Sequence, residues 1–323
     1  MSITVVGSIA FDAVETPFGQ RDRMLGGAAT HFALAASFFD EVRIVGPVGD
    51  DFGEDEMAAL ATRGSRTDDV ERVAGGRTFF WRGKYGWDLG SRETLETQLN
   101  VFESFAPKLS SASRESDVLF LANIQPELQL QVRDQCGGAR FVALDSMNLW
   151  IDIARDALLQ AISRVDCVIL NDEELRQLTG KPNLVAAARE VLGMGPSVVV
   201  AKRGEYGAVL ITDEVYFALP AYPLETVIDP TGAGDTFAGG FVGYVARHLG
   251  EQESLSSEVL SNAMAYGTAL ASFNVEQFGT EGLLHLEAAA VQGRVQDLAR
   301  FTRFEPVEVE LVREPGVVVR ESG

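Results

Sequence analysis

Short β-branched, largely apolar runs alternate with helical stretches through most of this chain. Residues 3–7, 42–46, 118–122, 141–144, 167–170 and 198–202 read as buried strands. Residues 28–39, 54–63, 127–135, 151–163, 172–179 and 184–192 read as helices. This alternation predicts an α/β fold: a doubly wound, mostly parallel sheet with helices on both faces, three layers in all. Residues 208–212 and 215–218, joined at Asp213-Glu214, predict a hairpin. Residues 236–249, 254–274 and 286–299 are mainly helical in pattern, and Gly239-Gly240 would let one of these helices pack closely.

Two segments break the rhythm. Residues 11–25 and 75–88 are polar-aromatic and predict extended strands outside the main sheet, a small β lid over about 11–25 and 75–90 inserted into one domain spanning 1–323. The second segment carries Phe79, Phe80 and Trp81. An exposed aromatic face there needs a partner: a substrate, the body of the protein, or a second copy in a homodimer through the lid. The tail 306–323 is acidic and valine-rich and fits either an edge strand or a mobile end.

Composition narrows the setting. The 323 residues are 46% hydrophobic, enough for a substantial core. The N-terminus has neither a basic start nor the apolar run of a secretory signal, and no stretch is long enough to span a bilayer, so a cytoplasmic location is expected. Cys136 and Cys167 both lie beside apolar segments and suit buried thiols. A net charge of −20 argues against nucleic acid and anionic membranes as partners. A protein this acidic that binds an anionic nucleotide must concentrate positive potential locally.

The densest chemistry lies in Asp229-Pro230-Thr231-Gly232-Ala233-Gly234-Asp235, followed by a helix. Helix N-termini present unpaired N–H groups and a partial positive charge, so they hold phosphate. A carboxylate in that trap would repel bound phosphate, which suggests that Asp235 instead takes a proton from an attacking hydroxyl. Taken residue by residue, the same pattern also fits an ordinary glycine turn and an acidic helix start. The whole string resembles the signature D-T/P-T/P-G-A-G-D of the PfkB family, the ribokinase-like carbohydrate kinases. Gly26-Gly27 leading into a helix, with Gly49-Asp50-Asp51-Phe52-Gly53 beyond it, resembles the family's first signature.

The resemblance implies an ATP-dependent phosphotransferase with an alcohol acceptor, using Mg²⁺ and in some relatives a monovalent cation. Asp235 would be the catalytic base, and the Gly232, Ala233 and Gly234 backbone would stabilise the moving phosphoryl group. The acceptor, a small sugar or polyol, would meet Asp12, Gly26, Gly27 and His31. His31 stands where many relatives have Asn, which puts the acceptor's identity in question. Asn171 with Glu174 matches an N-x-x-E element that orders water around Mg²⁺, although acids also favour a helix start for its dipole. Asp145 is a weaker metal candidate. Lys202, Arg203, Gly204 and Gly207 resemble the nucleotide loop; with Thr231, Gly232 and Gly234 they would hold ATP, and Asn274 would contact the purine.

Two other readings stay open: a nucleoside kinase of the same fold, whose base would stack on the lid aromatics, and a sugar sensor without catalysis. Other chemistries find little support. The first strand lacks G-x-G-x-x-G, and neither G-x-x-x-x-G-K-[ST] nor G-x-S-x-G occurs. His31, His248 and His285 form no metal-ligand pattern.

Overall fold

A computed structural model describes residues 1–250 and 255–307. Its main sheet has nine strands: β1 (Ser2–Val6), β4 (Glu41–Val48), β5 (Arg66–Arg72), β8 (Val118–Leu121), β9 (Phe141–Asp145), β10 (Cys167–Asn171), β11 (Val198–Lys202), β12 (Ala208–Ile211) and β13 (Tyr216–Leu219). They lie in the order β13-β12-β11-β10-β9-β8-β1-β4-β5. Pairing is parallel from β5 to β11, and the β11–β12–β13 edge is antiparallel.

Both faces of this sheet are buried, which is why its strands are nearly continuous apolar runs. Ile3, Val5, Val118, Phe120, Cys167 and Ile169 face one core, and Val6, Leu119, Leu121, Val168 and Leu170 the other. The first core is covered by the helices Ala28–Ala36, Ala233–His248, Ser257–Asn274 and Ala288–Thr302. The second is covered by Pro126–Gln135, Arg155–Ile162, Asp172–Thr179 and Leu184–Leu192. Both cysteines are free and buried. Among the described residues no helix is long and apolar enough to cross a membrane.

Several boundaries differ from expectation. The helix expected over 151–163 breaks at Ala154, whose φ of −136° and ψ of 33° end Asn148–Ile153 and cap Arg155–Ile162. β5 was not foreseen, because its sequence Arg-Thr-Asp-Asp-Val-Glu-Arg is that of a charged sheet edge rather than a buried strand. The expected structure of the tail lies outside the described residues from 308 onward, as does the residue-254 start of the long helix.

The small sheet has the order β3-β2-β6-β7, formed by β2 (Ala10–Thr16), β3 (Gly19–Gly26), β6 (Phe79–Tyr85) and β7 (Arg92–Gln98). β2 and β6 run parallel and the outer pairs antiparallel. It therefore extends beyond the expected segments to include β7, an exposed strand of sequence Arg-Glu-Thr-Leu-Glu-Thr-Gln.

Strand order in the main sheet reverses at β1, with β4 on one side and β8 on the other. Loops at the carboxyl ends of the strands around such a reversal form the crevice of a doubly wound sheet. Asp12 follows β1 on the small sheet, Asp145 ends β9, Asn171 ends β10 and Lys202 ends β11. The Ala233–His248 helix points its N-terminus at the same crevice and is held there by close backbone contact. A Cβ on Gly239 would sit 2.3 Å from the Phe32 carbonyl oxygen, and one on Gly240 would sit 2.8 Å from the Gly267 Cα. Alanine gains about 1 kcal/mol of helix propensity over glycine, but overpacking costs about 1–3 kcal/mol. Gly239→Ala should therefore lower stability on balance. A urea-unfolding midpoint equal to or above that of the unaltered protein would contradict this packing.

Candidate active site

The acceptor end is built on two glycines. A Cβ on Gly26 would lie 2.0 Å from Asp12 Oδ2, so only glycine leaves room for that carboxylate. Gly27, at φ 95°, would put a Cβ 2.4 Å from the Ser8 carbonyl oxygen. Its N–H donates to Asp12. Asp12 is buried, and its pKa is pushed up to about 7, first by burial and then by Asp229, with Asp235 adding to the effect. The structure therefore brings Asp12 and Asp235 into one electrostatic neighbourhood, as the sequence reading expected.

At the other end Gly232 takes the left-handed conformation, φ 73°, and caps the Ala233–His248 helix. Asp235 falls in the first turn, half-buried, with its pKa raised to about 7 by burial and by Asp145, against the pull of Lys202 and Arg92. Ala233 does not contribute an open amide, a correction to the expected catalytic set. Its N–H donates to the Pro230 carbonyl at 3.2 Å and closes the turn. Gly232 and Gly234 keep the expected place. The preceding Asp229 is fully buried and braces the loop, accepting from the Thr231 N–H at 2.9 Å and the Gly279 N–H at 3.0 Å.

His31 and Asn274 need larger corrections. His31 is 1% exposed and lies beneath the loop: a Cβ on Gly232 would sit 2.4 Å from its ring. It is sealed away from an acceptor in the cleft. Its Nδ1 donates to Asn274 Oδ1 at 3.0 Å. The Asn274 amide orientation is set by its Nδ2 donating to the Thr231 carbonyl at 2.8 Å, while Oδ1 also accepts from Thr236 Oγ1 at 3.2 Å. With its amide engaged on both sides and no exposed surface, Asn274 braces the loop and does not reach a purine. Burial pushes the His31 pKa down to about 4, against the Asn274 bond, so the ring is neutral at pH 7. Its Nε2 is buried and has no hydrogen-bond partner among the described residues.

The nucleotide and metal side is arranged around Lys202. Its Nζ donates to Asp145 Oδ2 at 2.6 Å and lies 3.2 Å from where a Gly234 Cβ would be. Burial opposes the lysine charge, but Asp145, Glu174 and Asp235 outweigh it and keep its pKa above the ordinary value. Asp145 Oδ1 accepts from the Ser146 N–H at 2.8 Å, so both its oxygens are engaged. Asp145 thus anchors Lys202. Asn171 and Glu174 form a capping box: Asn171 N–H donates to Glu174 Oε2 at 2.8 Å, and Glu174 N–H to Asn171 Oδ1 at 2.7 Å. The box fixes the two residues three positions apart at the start of the helix and holds the Glu174 carboxylate near Lys202 and Asp145. Burial raises the Glu174 pKa to about 7, with Lys202 pulling it down. Among the described residues no three His, Cys, Asp or Glu side chains converge as a metal cage. A single hard carboxylate suits Mg²⁺, which retains waters and phosphate oxygens as its other ligands. In the adjoining turn, Arg203 N–H donates to the Gly207 carbonyl at 2.8 Å. Gly204 and Gly207 both have positive φ, and a Cβ on Gly207 would lie 2.0 Å from the Leu219 carbonyl oxygen.

Two residues at the cleft carry no motif in the sequence. Tyr85 is buried, and its hydroxyl accepts from Thr231 Oγ1 at 3.2 Å, linking the small sheet to the glycine loop. Arg92 stands opposite Tyr85 on β7. Tyr85 ends the segment read as extended over 75–88, whereas Arg92 lies in a run, Arg-Glu-Thr-Leu-Glu-Thr-Gln, whose polar composition gives no strand signal.

The chain matches the pfkB family carbohydrate kinase domain over residues 2–285. A cytidine kinase from Thermococcus kodakarensis is 31% identical over 255 residues, 76% of this chain and 89% of that one. A ribokinase from Lactococcus lactis is 27% identical, with 87% and 92% covered. Among solved structures, a Methanocaldococcus jannaschii nucleoside kinase superposes with a TM-score of 0.74 at 20% identity, covering 92% of this chain and 98% of that one. A ribokinase II from E. coli, in complex with ATP and Mg²⁺, gives a TM-score of 0.73 at 20% identity, covering 92% and 99%. With a family domain over most of its length and a relative of this similarity, the chain belongs to the PfkB family of carbohydrate kinases, phosphotransferases that act on hydroxyl groups.

Proposed function

We propose that this protein transfers the γ-phosphate of ATP to a hydroxyl of a small sugar or sugar-like polyol lying between Asp12 and Asp235. The observation that carries this reading is the placement of Asp235 in the first helical turn beside Gly232 and Gly234, facing a second buried aspartate held by two obligatory glycines. Asp12 would accept from acceptor hydroxyls and fix their register. Asp235 would take the proton of the reacting hydroxyl as its oxygen bonds to phosphorus and the bridging bond to ADP breaks. Its pKa near 7 suits a base that must gain and release a proton at neutral pH. The open loop amides and Lys202 would stabilise phosphoryl charge, since positioning and electrostatics carry most of phosphoryl transfer. Glu174 would hold Mg²⁺ through its water shell; the ion, when bound, neutralises phosphate charge. Arg203 and the Gly204–Gly207 turn would border the nucleotide.

One observation favours a nucleoside as a second acceptor class. The Trp81 indole lies flat over Gly83, where a Cβ would be 2.1 Å from the ring, and its Nε1 donates to Thr94 Oγ1 at 3.3 Å. Trp81 pairs with Asp12 in register, so the indole forms a shelf beside the acceptor aspartate.

We also include a homodimer through the lid in this reading. The outer face of the small sheet holds a cavity of about 420 Å³, lined by Phe11 and Phe80 together with Arg23, Arg77, Arg82 and Glu96. Apolar and oppositely charged groups on one face can complement a second copy. Sedimentation at micromolar concentration should give twice the chain mass; a monomer would remove this part.

Asp235→Asn should reduce turnover by on the order of 10²-fold or more while ATP binding persists. Assayed with ATP against ribose, fructose, myo-inositol and cytidine, the unaltered protein should phosphorylate at least one. Full activity in the Asn variant would refute Asp235 as base, and strong turnover of cytidine alone would move the acceptor to the second class.

The buried carboxyls also leave a mark on stability. Unfolded Asp12 titrates near 3.8 and folded Asp12 near 7, so the folded state holds the proton more tightly and its stability falls as pH rises between those values. Asp12→Asn should be more stable than the unaltered protein at pH 8, by on the order of 1–3 kcal/mol, and melt higher there, with the gain vanishing near pH 4. An equal or lower melting temperature at pH 8 would contradict it.

A further inference from the structure

The cleft-facing side of the small sheet carries a cation that nothing above has used. Strand register places Asp12 beside Trp81, and Tyr85 beside Arg92, on one face. The Arg92 guanidinium carbon lies 5.5 Å from the Trp81 ring centroid. Its neighbour Tyr85 touches Thr231, the residue before the anion-binding glycine. Arg92 is exposed, and among the described residues it has no ion-pair partner. The basic groups of the adjoining β6 are committed: Arg82 faces Glu96 at 3.7 Å, and Lys84 pairs with Glu15. Across the cleft Lys202 is tied to Asp145 at 2.6 Å. The Arg92 charge is felt on both sides, lowering the proton affinity of Asp12, Glu174 and Asp235 alike.

A transferring phosphoryl group spreads charge over three oxygens. The glycine loop and Lys202 stand on the body side of the cleft, and Arg92 is a cation on the small-sheet side. We propose that Arg92 is a further catalytic residue, delivered by the lid, whose guanidinium donates to the transferring phosphoryl group from the side opposite Gly232 and Gly234. The assignment rests on the kinase reading above. It assigns the local positive potential that an acidic protein needs to an element that arrives with the acceptor. The planar fork can donate to two oxygens at once, which an ammonium cannot do with the same geometry.

The test uses the whole protein with ATP, Mg²⁺ and whichever of ribose, fructose, myo-inositol or cytidine it turns over fastest. Arg92→Ala should lower kcat by on the order of 10²–10³-fold, leave acceptor KM within about threefold, and keep its affinity for Mg²⁺ with a non-hydrolysable ATP analogue. Free guanidinium ion at millimolar concentration should restore part of the activity of Arg92→Ala but none of that of Asp235→Asn, and Arg92→Lys should recover less than guanidinium does. A kcat within threefold of the unaltered enzyme overturns the proposal. So does a loss confined to acceptor KM, which would make Arg92 an acceptor contact, or a loss that guanidinium leaves unrelieved while Trp81 fluorescence reports a displaced lid. No turnover by the unaltered protein with any acceptor would instead count against the kinase reading itself.

Discussion

The geometry of the cleft depends on one contact, the His31 ring lying flush beneath Gly232. The left-handed glycine turns the chain so that loop amides face outward, and its missing side chain leaves the space that the ring fills. Asn274 then connects His31, Thr231 and Thr236 through a single amide. His31 belongs to the helix Ala28–Ala36, which starts just after Gly26 and Gly27, the floor of Asp12. One short helix thus sets the acceptor aspartate at its beginning and supports the anion loop one turn later. Rigid support of this kind is what positioning catalysis requires.

The electrostatics follow from crowding acids in a low-dielectric cleft. Asp12, Glu174 and Asp235 are all pushed up to about 7, while Lys202 holds its charge because those same acids surround it. Burial, with repulsion from neighbouring acids, holds these carboxyls toward the protonated form, and a cation beside them would favour their ionisation.

Much of this was readable from residues alone. Strands buried on both faces announce themselves by uninterrupted apolar runs, and the string Asp229–Asp235 resembles the family's signature residue by residue. What escaped reading has a common cause. β5 and β7 carry charged and polar residues because each is an edge, and edge strands avoid the pattern that marks a strand. His31 and Asn274 are 243 positions apart, so their pairing under the loop is a tertiary fact with no local signal. The resemblance implied a ligand contact for each, and burial reassigns both to support. Arg92 lies in no motif, and only the register of β6 with β7 turns it inward.

The hydrogen bond between Tyr85 and Thr231 joins the small sheet to the glycine loop, beside the apolar packing of Val14, Tyr85 and Phe278 with Ile228. Thermodynamic coupling is reciprocal: if an acceptor draws the sheet inward and favours one arrangement of the loop, the nucleotide that prefers this arrangement favours the acceptor by the same free energy. Such a junction gives the two ligands a route to synergy, carried by the hydroxyl pair together with the packing around it.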